Sequence, residues 1–324
     1  MLVRLSMATV LCALFFAVPD VGAQGTWPAR PIHIVVTQPP GGGNDAVARL
    51  IAGALQPVLG QPVVVENKPG AGGNIATAYV AKQPPDGYNL LVTPSSHVGN
   101  VYFFAKLPYD PIKDFEPISL VSTTPFIFVV NANLPVNNMM EFLAYARAHP
   151  GLTYGSSGIG QPHHTAGELL KSMAKIDVVH VPYKGAAGVV PALLSGEIDF
   201  TIGAINSLLP HIRSGKLRVL AAAGATRTAL LPDVPTLAEA AQLPGYEMSS
   251  WAGLLAPAGT PKPIIERLST ETNQILRTAS VREKLAVAGI EPLGTTPERF
   301  LEIEKANLVQ YAKITKEAGI VPEQ

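Results

Sequence analysis

Short apolar runs alternate with helix-period segments along almost the whole chain. Ile32-His33-Ile34-Val35-Val36 is rich in β-branched residues and is closed by Pro39-Pro40, which predicts a buried strand. From Asp45 onward Val47, Leu50, Ile51, Ala54, Leu55 and Val58 fall on one helical face. Pro62–Glu66 reads as the next strand and Asn74 as the cap of a helix reaching Lys82. Pro85-Asp86-Gly87 then turns into a strand over Tyr88–Thr93. Phe126–Val130 is a further strand, and Asn138 with Glu141 forms a capping-box pattern for a helix that His149-Pro150-Gly151 stops.

The same rhythm fills the second half. It predicts a helix from His163 to Ala174, a strand at Val178–Val181, a helix after Gly185, and strands at Ile198–Ile202, Leu217–Ala223 and Trp251–Ala256. Two long helices, Pro263–Thr278 and Pro297–Glu317, close the chain, the last one opened by Thr296 as cap and Pro297 at the first helical position. Strands alternating with helices in this way predict parallel sheets flanked by helices, an α/β architecture. A length of 324 residues allows two such units. No repeat, low-complexity tract or linker marks a boundary, which fits two lobes joined by strand crossovers.

The first residues read differently. Arg4, the apolar stretch Leu5–Val18 and the small residues Val21-Gly22-Ala23 have the pattern of an export signal cleaved near Ala23, and the stretch is too short to span a bilayer comfortably. Cys12, the only cysteine, lies inside it, so the mature chain is expected to hold no disulfide, thiolate metal site or cysteine nucleophile. Hydrophobic residues make up 47% and charged residues 15%, with Lys+Arg and Asp+Glu equal at 24 each. That balance argues against nucleic acid or a membrane surface as the main partner and leaves a small molecule or another protein.

Glycine gathers where strands are expected to hand over to helices. Pro39-Pro40-Gly41-Gly42-Gly43-Asn44-Asp45 and Pro69-Gly70-Ala71-Gly72-Gly73-Asn74 each precede a helix, and Thr93-Pro94-Ser95-Ser96-His97 follows the next strand. In the second half Tyr154-Gly155-Ser156-Ser157-Gly158-Ile159-Gly160, Pro182-Tyr183-Lys184-Gly185 and Gly203-Ala204-Ile205-Asn206-Ser207 occupy equivalent places. Free N–H groups and the helix dipole make such turns anion sites, and open α/β sheets collect ligands at the carboxyl ends of their strands. One such loop is no more than a tight turn; several together point to a ligand.

Catalytic readings fare poorly. Gly41–Ala46 formally satisfies the dinucleotide fingerprint, with Glu66 ending the next strand, but the loop is long and carries two prolines. Neither Ser156 nor Ser157 stands in a G-x-S-x-G frame, and the adjacent His163 and His164 lack metal-ligand spacing. His33, in an apolar strand, is expected to be a core histidine. Asp45 reads equally as a helix cap and as a ligand contact. No catalytic residue, metal or cofactor is expected.

In order along the chain these motifs resemble the substrate-binding receptors of tripartite tricarboxylate transporters, the Bug-type receptors. The markers include Pro40–Asp45 with Ala48-Arg49, Val64–Asn74, Pro84–Tyr88, Val181–Gly185, Leu231–Thr236 and Trp251–Pro261. The resemblance implies a periplasmic-binding-protein-like α/β fold of type II, two lobes with two crossovers. Lobe 1 would take residues 27–125 and 249–324, and lobe 2 residues 126–248. It implies a small carboxylate, either a di- or tricarboxylate or an aromatic acid, held largely by backbone amides and hydroxyls. In lobe 1 the candidates are Pro40, Gly41, Gly42, Gly43, Asn44 and Asp45, beside Ala71, Gly72, Ser95, Ser96 and His97. In lobe 2 they are Ser156, Ser157, Gly158, Gly160, Gln161 and His164, with Lys184 and Asn206 outside them. Gln161 and Thr165 depart from the family's usual Ser or Thr and Leu, which bears on specificity. The implied partners are the ligand and the membrane components of a tripartite tricarboxylate-type transporter, for a periplasmic monomer. A receptor serving a membrane sensor and a secreted α/β enzyme are the alternatives.

Overall fold

The computed structural model describes residues 27–317 and 319–322, and the expected export signal over 1–23 lies outside the described residues. In chain order the elements are β1 (Ile32–Val36), α1 (Gly43–Leu59), β2 (Val63–Asn67), a 3-10 turn (Ala71–Gly73), α2 (Asn74–Ala81), β3 (Asn89–Pro94) and α3 (Ser96–Gly99). Next come β4 (Phe115–Asn131), α4 (Met139–Ala148), β5 (Leu152–Ser156), α5 (Pro162–Ala174), β6 (Val178–Pro182), α6 (Ala186–Ser195), β7 (Phe200–Ala204), α7 (Ile205–Arg213) and β8 (Leu217–Ala222). The chain ends with α8 (Leu237–Ala240), β9 (Ser249–Pro257), α9 (Lys262–Arg277), α10 (Ala279–Val287), β10 (Glu291–Pro292) and α11 (Pro297–Glu317).

Strand β4 joins two sheets. Its first part, Phe115–Pro125, pairs antiparallel with β9, and its last part, from Phe126, pairs antiparallel with β7 and β8. The first sheet runs β2-β1-β3-β9-β4 and the second continues β4-β7-β5-β6. Among the named strands β1 with β2 and β3, and β5 with β6 and β7, are parallel and the other pairs antiparallel, so the sheets are mixed where the alternation of elements predicted parallel ones. The difference lies in β4 and β9: β4 crosses between the sheets, and β9 returns beside its first part in the opposite sense. The result is a two-lobed binding-protein fold.

Each sheet is covered on both faces, which is why its strands are almost continuously apolar. Ile32, Ile34 and Val36 of β1 meet Val47, Ile51 and Leu55 of α1, while Val35 points the other way, among Val80, Leu91, Phe300 and Tyr311. In the second lobe Phe128, Phe142, Tyr154 and Phe200 fill one face, with Ile127, Val129, Leu193 and Ile205 on the other. Helix α11 touches both cores, through Tyr311 on the first and Ile314 on the second.

Two local expectations need correction. Asn74 is not a cap: Gly73 holds that position, and Asn74 Oδ1 accepts from Asn100 Nδ2 at 2.6 Å and Tyr109 OH at 2.6 Å. The first half of β4 carries Pro117 and Pro125, which argue against a strand; the register slips between Pro117 and Ser119, and this bulge accommodates the missing N–H. The cap at Asn138 does form, accepting from Glu141 N at 2.9 Å, but Glu141 returns its bond to Asn137 N at 2.7 Å.

Candidate functional site

Every glycine-rich turn singled out above follows a parallel strand and leads into a helix. None of α1, α2, α5, α6 or α7 receives a side-chain cap bond at its N-terminus. Their N-cap residues therefore leave first-turn N–H groups uncapped at the positive end of each helix dipole, apart from Ser207 N of α7, which donates to Asn206 Oδ1 at 3.0 Å. The turns of the two lobes face each other. Asn206 Nδ2 lies 4.0 Å from where a Cβ on Gly43 would stand, and Pro39 Cγ lies 3.6 Å from the same point on Gly185. The Cβ position of Gly72 is 3.1 Å from the Ile159 carbonyl, and that of Gly160 is 2.7 Å from Asn100 Oδ1. Gln161 bridges directly, donating from Nε2 to Gly72 O at 2.9 Å and Ser96 Oγ at 3.4 Å.

Asp45 is not the cap of α1, a position that Gly42 holds. Its buried carboxylate accepts from Gly41 N at 2.9 Å and Arg49 Nε at 3.0 Å on one oxygen, and from Asn67 Nδ2 at 2.9 Å on the other. Arg49 in turn donates to Asn67 Oδ1 at 3.0 Å. Burial alone would raise its pKa, but the bonds from Arg49, Gly41 and Asn67 outweigh burial and hold it below the ordinary carboxylate value. The charge closes the loop Gln38–Asp45 onto β2, so the amides at the start of α1 stand in a fixed place.

The wall of the second lobe is a cluster of hydroxyls and imidazoles. Ser156 Oγ lies 2.6 Å from His180 Nε2, and Ser157 Oγ contacts His163 Nδ1. His164 stacks on His180 with centroids 4.0 Å apart, and its Nδ1 accepts from Gly160 N at 3.2 Å, which leaves the proton on Nε2. Burial lowers His163 and His180 to about 4 and His164 to about 3. The three rings are therefore neutral near pH 7. Two serine–histidine contacts do form, which the sequence did not suggest. Ser156 is fully buried, however, and neither ring makes a hydrogen bond to a carboxylate among the described residues.

The structure thus brings together Gly41–Asp45, Ala71–Gly72, Ser96, Ser156–Gly160, Gln161, His164 and Asn206. It does not bring in His97, which is 1% exposed and bonded from Nε2 to Pro111 O at 2.9 Å inside the lobe-1 core, 3.9 Å from Glu304. Ser95 is also turned inward, accepting from Tyr311 OH at 3.1 Å. Pro40 and Lys184 are exposed at the rim. Residues not singled out from the sequence add to the seam. Thr37 Oγ1 and Asn100 Oδ1, like Asn44 Nδ2, are buried and find no hydrogen-bond partner among the described residues. Phe103 packs 5.3 Å from His164. Thr37 directly follows the β1 run, a signal that was readable; Asn100 and Phe103 lie in an irregular stretch with none.

Two α/β lobes joined by crossing strands, with amide-rich turns facing across the seam, define a two-lobed solute-binding protein. The profile of the tripartite tricarboxylate transporter family receptor, TctC, matches residues 47–320. The chain belongs to that family of periplasmic solute-binding proteins. It is 36% identical over 313 residues to Protein BugT of Bordetella pertussis, covering 94% of this chain and 95% of that one. Among solved structures, R. palustris Rpa4515 with adipate superposes with a TM-score of 0.86 at 36% identity, covering 92% of this chain and 100% of that one. MatC from Rhodopseudomonas palustris with bound malate gives 0.83 at 33% identity, covering 89% and 99%.

Proposed function

We propose that this chain captures a small carboxylate between its lobes, by backbone amides and hydroxyls, and delivers it to the membrane components of a tripartite tricarboxylate-type transporter. One observation carries the reading: uncapped helix N-termini of both lobes meet along one seam, beside the unpaired buried polar atoms Thr37 Oγ1, Asn44 Nδ2 and Asn100 Oδ1 of lobe 1. The nearby guanidinium of Arg49 is already committed to Asp45 and Asn67, so an anion would be held by oriented dipoles rather than by a counter-charge. The adipate and malate bound by the two R. palustris proteins support a dicarboxylate.

Lobe 1 comprises residues 27–125 with 249–324 and lobe 2 residues 126–248, with β4 and β9 as the crossovers. The ligand-facing set is Gly41–Asp45, Ser157–Gly160 and His164, with Gln161 bridging to Ala71–Gly72 and Ser96 beside it and with Asn206 and Lys184 at the rim. Ser156 supports the loop from behind, bonded to Gly158. The ligand favours the closed arrangement because only that arrangement lets both walls touch it. The protein acts in the periplasm as a monomer, after removal of residues 1–23, and binds rather than converts its ligand.

Thermal unfolding of the mature chain against linear diacids, citrate, aromatic acids and amino acids tests this. A ligand at about 100 times its dissociation constant adds about 2.7 kcal/mol, a rise of several degrees at roughly 2–4 °C per kcal/mol. A folded, ligand-free sample that responds to none of them would overturn the carboxylate reading.

A further inference from the structure

Gln161 stands at the start of α5 without capping its own helix, and its side chain crosses the seam instead. The residue is 6% exposed, so the crossing is made in a dry place. Its Nε2 donates to Gly72 O at 2.9 Å, and Asn100 Nδ2 donates to the same oxygen at 3.0 Å. A carbonyl oxygen has two lone pairs, and both are taken. Gly72 O therefore offers nothing to a ligand, and the carboxamide fills the space beside it. Around this end the backbone is packed tight: the Cβ positions of Gly72 and Gly160 lie 3.0 and 3.2 Å from the Phe104 ring.

The other end of the seam differs. Among the described residues no side-chain hydrogen bond joins the Gly41–Asp45 loop to the turns at Gly185 and Asn206 that face it. Asn44 Nδ2 lacks a partner at that end, while Thr37 Oγ1, beside Gly73, and Asn100 Oδ1, beside Gly160, lack partners nearer Gln161. One end of the seam is thus bridged and filled by the Gln161 side chain, and the other is bridged by none among the described residues.

We propose that Gln161 is a specificity-determining clasp, which shuts the Gly72–Ser96 end of the cleft and confines the ligand to a short carboxylate at the Gly41–Asp45 end. This rests on the carboxylate-binding reading above. Truncation beyond Cβ opens the end that the carboxamide fills, so a longer diacid can extend into it. Methionine keeps the length of glutamine without its donors, and continues to fill that end.

The test is calorimetric titration of wild type, Gln161→Ala and Gln161→Met with succinate, glutarate, adipate and pimelate, each protein first shown to unfold cooperatively. Wild type is expected to prefer the shorter acids. Gln161→Ala should move the ratio of adipate to succinate affinity by about tenfold in favour of adipate, the factor that burying two more methylenes carries. Gln161→Met should keep the wild-type order. The same rank order and ratio in Gln161→Ala as in wild type overturns the clasp and leaves the receptor reading standing, as does a Met variant that shifts as far as Ala. A folded wild type that binds none of the four acids, nor any other carboxylate of the thermal panel, overturns both.

Discussion

Replacing Asp45 by alanine removes the acceptor of three hydrogen bonds at once. The bonds come from Gly41 N, Arg49 Nε and Asn67 Nδ2, at 2.9, 3.0 and 2.9 Å. Bonds to a charged acceptor are worth about 1.5–3 kcal/mol each before correction. Two corrections reduce the sum. The Arg49 side chain is 51% exposed, so its share is screened and small. Asn67 Nδ2 keeps its bond to Gln38 O at 3.0 Å, and Gly41 is exposed enough to bind water. About 2 kcal/mol remains, or roughly 4–8 °C in the melting temperature of a chain this size. The loop set loose carries the amides at the start of α1, so affinity for the responding carboxylate should fall about 5- to 30-fold, the equivalent of about 1–2 kcal/mol. Gln, Asn and other neutral groups cannot restore all three bonds; Asp45→Asn presents a donor to one of three donors and recovers only part. Because the folded-state pKa of Asp45 lies below its ordinary value, its stabilisation is fully present above the ordinary carboxylate range and is lost as pH falls through the lowered pKa. The gap between wild type and Asp45→Ala should therefore be flat from pH 5 to 8, on the order of 2 kcal/mol, and close in acid. Thermal unfolding and calorimetric titration measure both effects. A variant that melts within about 1 °C of wild type and binds equally well would refute the claim that this carboxylate builds the loop.

Other consequences follow from buried groups and tight contacts. Burial pushes Glu304 up to about 8, so folding takes up a proton between the ordinary carboxylate range and about 8, and stability falls as pH rises through that window. Glu304→Gln should remove this loss, gaining about 2–4 kcal/mol on wild type between pH 5 and 8 at about 1.4 kcal/mol per pKa unit; parallel urea curves at the two pH values would disprove it. His97, His163 and His180 are lowered to about 4 and His164 to about 3, so their stabilisation is complete above the ordinary histidine value of 6.5 and is lost as pH falls from there. Imidazole resonances titrating near 6.5 in the folded protein would contradict that. Gly160 has φ of 73°, and a Cβ there would stand 2.7 Å from Asn100 Oδ1 in the facing lobe. Gly160→Ala should weaken ligand binding by about tenfold or more, since an overpacked contact costs about 1–3 kcal/mol. Gly196→Ala, with φ of 78° but open space around it, should leave binding unchanged; equal losses in the two would show that the clash plays no part.

Much of the architecture was legible because strands such as β1 are β-branched and buried on both faces, and because α1 and α11 carry clear faces and starts. What escaped depended on tertiary context. Pro117 and Pro125 hid the first half of the crossing strand β4, whose bulge makes sense only beside β9. Asn74 looked like a cap because a glycine cap leaves no side-chain signature, while its real partners, Asn100 and Tyr109, are distant in sequence. In the site, the turns could be named because glycine marks them. Side-chain direction could not: His97 follows two serines of a seam loop yet points into the core, on Pro111 O. The pairing of His180 with Ser156 likewise requires β5 and β6 to lie side by side, which no local pattern encodes.

The central claim is that the carboxylate itself is held by dipoles along the seam. It is tested most directly by calorimetric titration of the mature chain with the carboxylate that gives the largest thermal response, beside its methyl ester. The expected result is one acid bound per chain, with the ester at least about a hundredfold weaker, since losing the charge forfeits about 3 kcal/mol of charge-assisted bonding. Equal binding of acid and ester, or more than one acid per chain, would contradict a single anion site between the lobes.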